Sequence, residues 1–188
     1  MDSLFPDEPQ FPEGFSYFPH FITPGEEEAL CKVIAGLQLG TFLFHGYEAK
    51  RRVASYGYDY HFTSRSITKG QPVPPGFHFL IEKVAAHLRL APEVFQEVLA
   101  TEYPVGSVIN WHRDAPPFGL IAGISLASDC VFRLRPYDKS KQSRSATVSF
   151  PVQRRSLYVM QGPARDEWEH SIRPVKQTRY SVTLRTLR

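Results

Sequence analysis

Asn110-Trp111-His112-Arg113-Asp114-Ala115-Pro116-Pro117-Phe118-Gly119 is the stretch from which the rest of the chain can be read. It contains His-x-Asp. Side chains two apart on an extended strand point to one face, so His112 and Asp114 can reach one point while Trp111 and Arg113 face the other way. One imidazole and one carboxylate make two-thirds of a metal site. Such a pair also arises by chance and caps turns, so its meaning rests on what surrounds it.

Outward from this stretch the chain breaks into short strands. Phe95–Tyr103, Val108–Asp114, Leu120–Ala127, Val131–Arg135, Ala146–Val152, Ser156–Gln161, Trp168–Ile172 and Tyr180–Leu187 each read as extended, with turn residues between them. Tyr137–Ser145, rich in Lys, Arg and Ser, reads as a mobile hairpin loop. Many short strands at this spacing predict a β-sandwich or jelly roll. Upstream, Thr23-Pro24-Gly25-Glu26 is a helix start, with Thr as N-cap, Pro in the first turn and Glu placed for a capping box. Leu30, Val33, Ile34 and Leu37 continue it as an apolar stripe, with Gly40 as its stop. A second helix is expected over Phe77–Leu88, with Leu80, Val84 and Leu88 inward. Residues 1–21 read as an extended, Pro-punctuated arm over the surface. Thr41–Phe62 reads as strands and loop, and the alternation of Tyr56, Tyr58, Tyr60 and Phe62 predicts a shared strand face.

A chain of 188 residues suits one domain with a full core, and no internal boundary is visible. The formal net charge of +3 permits a polyanionic partner without requiring one. The two cysteines, Cys31 and Cys130, have no CxxC spacing, which fits a reduced cytoplasmic setting. The start lacks the pattern of a signal peptide, and no apolar run is long enough to span a bilayer.

The last strand raises the weight of the His-x-Asp pair. Arg179, Ser181, Thr183 and Arg185 share one face of it; Tyr180, Val182 and Leu184 share the other. An inward Arg needs an anion, and its planar fork matches a carboxylate, so a dicarboxylate ligand fits this face. A solvated edge strand would carry the same pattern. Of the seven histidines, His170 is the candidate third ligand: it follows Trp168 in a strand and precedes the Arg strand, so a rolled sheet can bring it to His112. Two His and one carboxylate on one side of a metal is the arrangement of non-haem Fe(II) oxygenases.

His112-x-Asp114, then His170, then Arg179-x5-Arg185 resembles the AlkB family of Fe(II)- and 2-oxoglutarate-dependent dioxygenases, over about Thr41–Leu187. The resemblance implies a mainly β fold, a double-stranded β-helix (jelly roll), with the N-terminal helices packed on one face. It implies Fe(II) held by His112, Asp114 and His170. Arg179 would pair with the distal carboxylate of 2-oxoglutarate, and Arg185 would lie near the metal-side carboxylate and Asp114. Tyr103, Thr101 and Ser181 would complete the co-substrate site, with O2 as the second co-substrate. Arg52-Val53-Ala54-Ser55-Tyr56-Gly57 and Tyr60-His61-Phe62 are similar to the nucleotide-recognition lid of the family's nucleic-acid demethylases, which places that lid in residues 41–76. Arg52, Tyr56, Tyr60 and Phe62 are then the candidate substrate residues, Phe62 or Tyr60 stacking on a flipped base. An ordinary aromatic core face is the other reading of this stretch.

Two positions depart from the family pattern. Thr101 stands where the family usually has Asn, two residues before the co-substrate Tyr. Pro116 stands where several base-repair members carry an acidic residue that reads the base's exocyclic amine. The expected activity is oxidative dealkylation of alkylated nucleobases in DNA or RNA by a monomer bound to no membrane. The alternatives are the same chemistry on a protein or small molecule, and a non-catalytic metal-holding module that binds nucleic acid.

Overall fold

The computed structural model describes residues 9–44, 47–61 and 64–188. Its first element is a strand, β1 (Phe15–Phe18), followed by helix α1 (Pro24–Ala35) and strands β2 (Gly40–Phe44), β3 (Tyr47–His61) and β4 (Ser66–Lys69). Helix α2 (His78–Leu88) leads into β5 (Phe95–Tyr103), β6 (Ile109–His112), β7 (Phe118–Leu126), β8 (Cys130–Pro136), β9 (Val148–Val152) and β10 (Leu157–Met160). A short helix, α3 (Gly162–Asp166), precedes β11 (Trp168–Ile172) and β12 (Arg179–Leu187).

The start of α1 forms by the bonds its sequence predicts. Thr23 Oγ1 accepts from the Glu26 N–H at 3.2 Å, and Glu26 accepts from the Thr23 N–H at 2.7 Å. Lys83 of α2 also donates to Glu26, at 2.7 and 2.8 Å, which ties the two helices together. The helix stops earlier than its apolar stripe suggests. Gly36 caps it, its N–H bonding to the Lys32 and Val33 carbonyls, and Gly40 instead opens β2. Residues 15–18 are also more than a surface arm. They pair with β10, and Phe15 is buried, because an apolar Phe can cover the exposed edge of β10.

All strand pairings among the described residues are antiparallel. The larger sheet has eight strands in the order β1-β10-β7-β12-β5-β3-β2, with β4 paired to β3; the smaller has the order β6-β11-β8-β9. The two sheets enclose an aromatic core that includes Phe15, Tyr103, Phe118, Phe132, Phe150 and Tyr158. On its other face the larger sheet carries Val98, Ala100, Ile124, Val182 and Leu184 against Leu30 and Ile34 of α1 and Leu80 and Val84 of α2. This is a double-stranded β-helix, a jelly roll with helices on one face, as expected. Both faces of β12 are therefore buried, which explains why its polar side is lined and not solvated.

Glu27 pins the helix layer to the sheet. It accepts from the Ala127 N–H at 2.8 Å and from Arg154 at 2.6–3.1 Å. Burial opposes its charge, but Arg154 and the Ala127 N–H outweigh that and lower its pKa.

Gly57 decides where β3 points. Up to Gly57, β3 pairs with β5; from Tyr58 onward it pairs with β4. Gly57 has φ +85°, and a Cβ there would lie 2.2 Å from the Gln96 carbonyl oxygen, so only glycine fits. The alternation of faces breaks at this residue. Tyr56 packs with Phe77 in the helix-side core, whereas Tyr60 packs with Phe118 in the core between the sheets. The expectation of one shared face for Tyr56, Tyr58 and Tyr60 fails because strand periodicity does not survive a positive-φ residue. Phe62 lies outside the described residues.

Candidate active site

β6 and β11 are neighbours, and His112 and His170 are cross-strand partners with ring centroids 4.2 Å apart. His112 Nδ1 donates to the Asn110 carbonyl at 2.8 Å, which leaves Nε2 as the free donor atom for a metal. His170 lies flat against Phe132, with centroids 5.4 Å apart and planes at 5°. Asp114 comes from irregular backbone, since β6 ends at His112 and not at Asp114 as strand alternation implies. Arg165 of α3 holds that backbone. Its Nη2 donates to the Asp114 carbonyl at 3.1 Å and to the Ala115 carbonyl at 2.6 Å. Asp114 Oδ1 lies 3.6 Å from His112 Nε2 and 3.5 Å from His170 Nε2. The three donor atoms fall within 4.8 Å of one another, close enough for one ion.

The electrostatics of the cluster suit a cation. Burial opposes charge on Asp114, but Arg185 and the two imidazoles hold its pKa well below the ordinary carboxylate value. Burial and the neighbouring His112 depress His170 to about 3, so its ring is neutral and free to ligate. Arg185 fixes the second carboxylate oxygen. Its Nε and Nη2 each reach Asp114 Oδ2 at 2.8 Å, and its Nη1 donates to Glu97 at 2.6 Å. Glu97 also accepts from Ser55, at 3.2 Å. Burial raises the Glu97 pKa in spite of Arg185.

A cavity of about 100 Å³ opens beside the cluster. Thr101, Tyr103, Tyr158, Thr183 and Arg185 supply polar groups to its wall; Leu99, Ile121, Met160 and Ile172 supply apolar ones. Arg179 lies next to this wall, its guanidinium 4.8 Å from the centre of the Tyr103 ring. It is fully buried. Its Nε donates to Ser125 at 2.9 Å, and neither Nη finds a hydrogen-bond partner among the described residues. A buried guanidinium with two open N–H edges costs several kcal/mol, so this corner is built for an anion that the protein does not itself supply. Tyr103 Oη and Ser181 Oγ, 3.3 Å apart, stand beside it. Two imidazoles with one carboxylate suit Fe(II), and the open Arg179 fork suits a carboxylate of 2-oxoglutarate.

The expected substrate residues are more dispersed. Arg52 points to the opposite face of β3 and donates to Glu102 at 2.6 Å. The arginine that lines the cavity is its neighbour Arg51. Tyr56 is on the helix side, and Tyr60 sits by Phe118, which in turn packs under Arg185 at 5.1 Å.

Several contributors carry no motif. Glu97, Ser125, Arg165 and Tyr158 become neighbours of the site only when β5, β7, α3 and β10 assemble around it. Tyr158 lies across Gly123, where a Cβ would come within 2.1 Å of its ring. An isolated Gly in the apolar run Leu120–Leu126 is the one local signal of such a close approach.

The fold and donor set together define a non-haem metal centre with an adjoining carboxylate pocket. Comparison with known proteins agrees. The family model described as the 2OG-Fe(II) oxygenase superfamily matches residues 14–188. The tRNA (carboxymethyluridine(34)-5-O)-methyltransferase ALKBH8 of Mus musculus is 28% identical over 174 residues, covering 88% of this chain and 25% of that protein. The RNA demethylase ALKBH5 of Bos taurus is 33% identical over 130 residues, covering 62% of this chain and 31% of that one. The solved structure titled "The structure of OsALKBH1" superposes with a TM-score of 0.71 at 13% identity, covering 95% of this chain and all of that one, a likeness of fold. The chain belongs to the 2OG-Fe(II) oxygenase superfamily and, within it, to the AlkB family. It spans between a quarter and a third of the length of the two curated relatives named.

Proposed function

We propose that the protein is an Fe(II)- and 2-oxoglutarate-dependent dioxygenase that removes alkyl groups from nucleobases in DNA or RNA. The observation that carries this is the pairing of the His112–Asp114–His170 cluster with the unsatisfied guanidinium of Arg179. Iron with 2-oxoglutarate and O2 would supply an oxidant able to hydroxylate an N-methyl group, which then leaves as formaldehyde, with succinate and CO2 as co-products. The protein's residues bind and orient. His112, Asp114 and His170 would hold the ion, and Arg185 keeps Asp114 ionised and its Oδ2 turned away from the histidines. Arg179, with Tyr103 and Ser181, would anchor the distal carboxylate of 2-oxoglutarate. Thr101 and Thr183 line its path, and the apolar wall limits water beside the oxidant.

Residues 41–76 would act as the substrate lid. Its cavity-facing side presents Arg51 and Val53, and Tyr60 and Phe62 are the candidate stacking rings; Arg52, bonded to Glu102, and Tyr56, in the helix-side core, face away from the cavity. A nucleic-acid substrate is favoured by the likeness to an RNA demethylase and to a tRNA-modifying protein. Free Cys31 and Cys130 suit a reducing compartment, in keeping with a cytoplasmic protein. No helix among the described residues is long and apolar enough to cross a membrane.

The test is mass spectrometry of methylated single-stranded DNA, methylated RNA and methylated peptide, each incubated with the protein, Fe(II), 2-oxoglutarate and air. Loss of methyl from an oligonucleotide with matching succinate is the expected result. Oxidation of the peptide with untouched oligonucleotides would transfer the chemistry to a protein substrate. Absence of succinate under every condition would leave only a binding module.

A further inference from the structure

The inner face of the smaller sheet carries His112 and His170. Its outer face carries a different cluster. Trp111, one residue before the ligand His112, lies under two guanidinium groups, those of Arg133 at 4.7 Å and Arg135 at 4.3 Å from its ring. Arg113, one residue after His112, lies 3.6 Å over the exposed ring of Tyr137. Arg173 continues β11 on the same side, its N–H bonded to the Val131 carbonyl of β8 at 3.1 Å.

Among the described residues, the positive charges of this face are mostly uncompensated. Arg135 has Glu169, at 2.8 Å. Arg133 has only the neutral Ser171 hydroxyl, 2.9 Å from its Nε. Burial and then the charges of Arg173 and Arg135 lower the Arg133 pKa, as expected where like charges crowd. Crowded cations on a solvent-facing sheet lower the stability of the free protein, and an anionic partner would relieve that. The planarity of the cluster narrows the partner. Guanidinium groups set over indole and phenol rings offer flat surfaces for bases beside N–H groups for phosphates. A single-stranded nucleic acid matches both at once, bases to the rings and phosphates to the guanidinium groups.

We propose that the outer face of the β6-β11-β8 layer is a track for single-stranded nucleic acid. Phosphates would lie on Arg133 and Arg173, and bases would stack against the Trp111–Arg135 and Tyr137–Arg113 pairs. Because Trp111 and Arg113 flank His112, a strand held here runs along the back of the metal-bearing strand, and the end of β6 leads it to the cavity. This inference rests on the nucleic-acid reading of the function, and it adds a surface made of residues outside the lid.

The experiment measures binding of an unmodified single-stranded RNA oligonucleotide to the full chain across a salt series. The R133Q/R173Q variant should bind about tenfold more weakly near physiological salt, with the slope of log K against log salt shallower by about 1.4, for two lost phosphate contacts. The R133K/R173K variant should keep the wild-type slope. Succinate formation without nucleic acid should be equal in all of them, which shows that the metal centre is intact. A control, K32Q/R89Q on the helix side, should leave the slope alone. An unchanged slope in R133Q/R173Q, while the wild-type protein still demethylates RNA, overturns the track and leaves the function standing. An equal loss in the control overturns it too, since net charge alone would then explain the binding. Wild-type protein that neither binds nor demethylates any nucleic acid overturns both readings. Arg133-dependent binding to phosphatidylserine vesicles, with no such dependence for RNA, would give the surface to a membrane instead.

Discussion

Arg179 and Arg185 sit six residues apart on one face of one strand, and the protein treats them in opposite ways. Arg185 is saturated by its own fold, between Asp114 and Glu97. Arg179 is more fully removed from water, yet among the described residues only its Nε is satisfied, by an uncharged Ser125. A cation that the scaffold satisfies and one that it leaves open can be told apart on this ground. Both have the same residue type, strand and facing, and what separates them is whether the neighbouring strands bring carboxylates. Arg185 lies opposite Glu97 in the β12–β5 register; Arg179 lies opposite Tyr103.

The contrast is tested most severely at Arg185. Arg185→Met would leave Asp114 and Glu97, with side chains 6% and 5% exposed, as two buried carboxylates with no cation between them. A loss of about 3–5 kcal/mol is expected in urea unfolding of the iron-free protein. Succinate formation should disappear with it. A protein of unchanged stability would show that Arg185 is not the scaffold cation described here.

Arg179→Met should do the reverse. No internal ion pair is lost, so stability without ligand should equal or exceed that of the wild type. The concentration of 2-oxoglutarate needed for half-maximal succinate formation should rise about 100-fold, the scale of a lost charge-assisted bidentate pair. With Fe(II) present, 2-oxoglutarate should raise the melting temperature of the wild type and leave that of the variant unmoved. An unaltered 2-oxoglutarate requirement would remove Arg179 from the co-substrate site.

Glu27 offers a third, intermediate case: a buried carboxylate whose partner Arg154 is half exposed. Its folded pKa is lowered, so the stabilisation it gives is present above the ordinary Glu pKa and is lost as pH falls through the lower folded value. Glu27→Gln should therefore cost about 2 kcal/mol at neutral pH and progressively less in acid. A penalty that does not depend on pH would mean that the charge of Glu27 is not the source of the stabilisation.

The smallest effect is expected at Ser125. Ser125→Ala removes the hydroxyl partner of Arg179 while leaving its Nη groups free for the ligand. The 2-oxoglutarate requirement should rise only about fivefold, from the loss of roughly 1 kcal/mol of orientation. A rise as large as that for Arg179→Met would mean Ser125 itself touches the co-substrate.

Much of the site is legible in the amino-acid order. His-x-Asp and the Arg-x5-Arg strand are local patterns, and alternation on β12 correctly puts both arginines inside. Helix α1 is legible at its start, where the capping bonds lie within three residues. Its end is not, because Gly36 and Gly40 are equally good stop signals to a reader of the sequence. The lid goes out of phase for a comparable reason. The family pattern nominates Arg52, whereas Arg51 faces the cavity. Which face of β3 turns inward depends on its pairing with β5, and Gly57 then resets the alternation for Tyr60.

The chain's own order therefore specifies the chemical kinds present: two imidazoles, a carboxylate and two inward arginines. Their assignments come from the assembled fold. It sets His170 opposite His112, gives Glu97 to Arg185, brings Arg179 no carboxylate from among the described residues, and gathers Trp111, Arg133, Arg135 and Arg173 on the far side of the same sheet. The physical reason is range. Strand periodicity and helix caps act over two to four residues, whereas the burial that makes a charge costly, and the partner that satisfies it, are supplied by strands far apart in the chain.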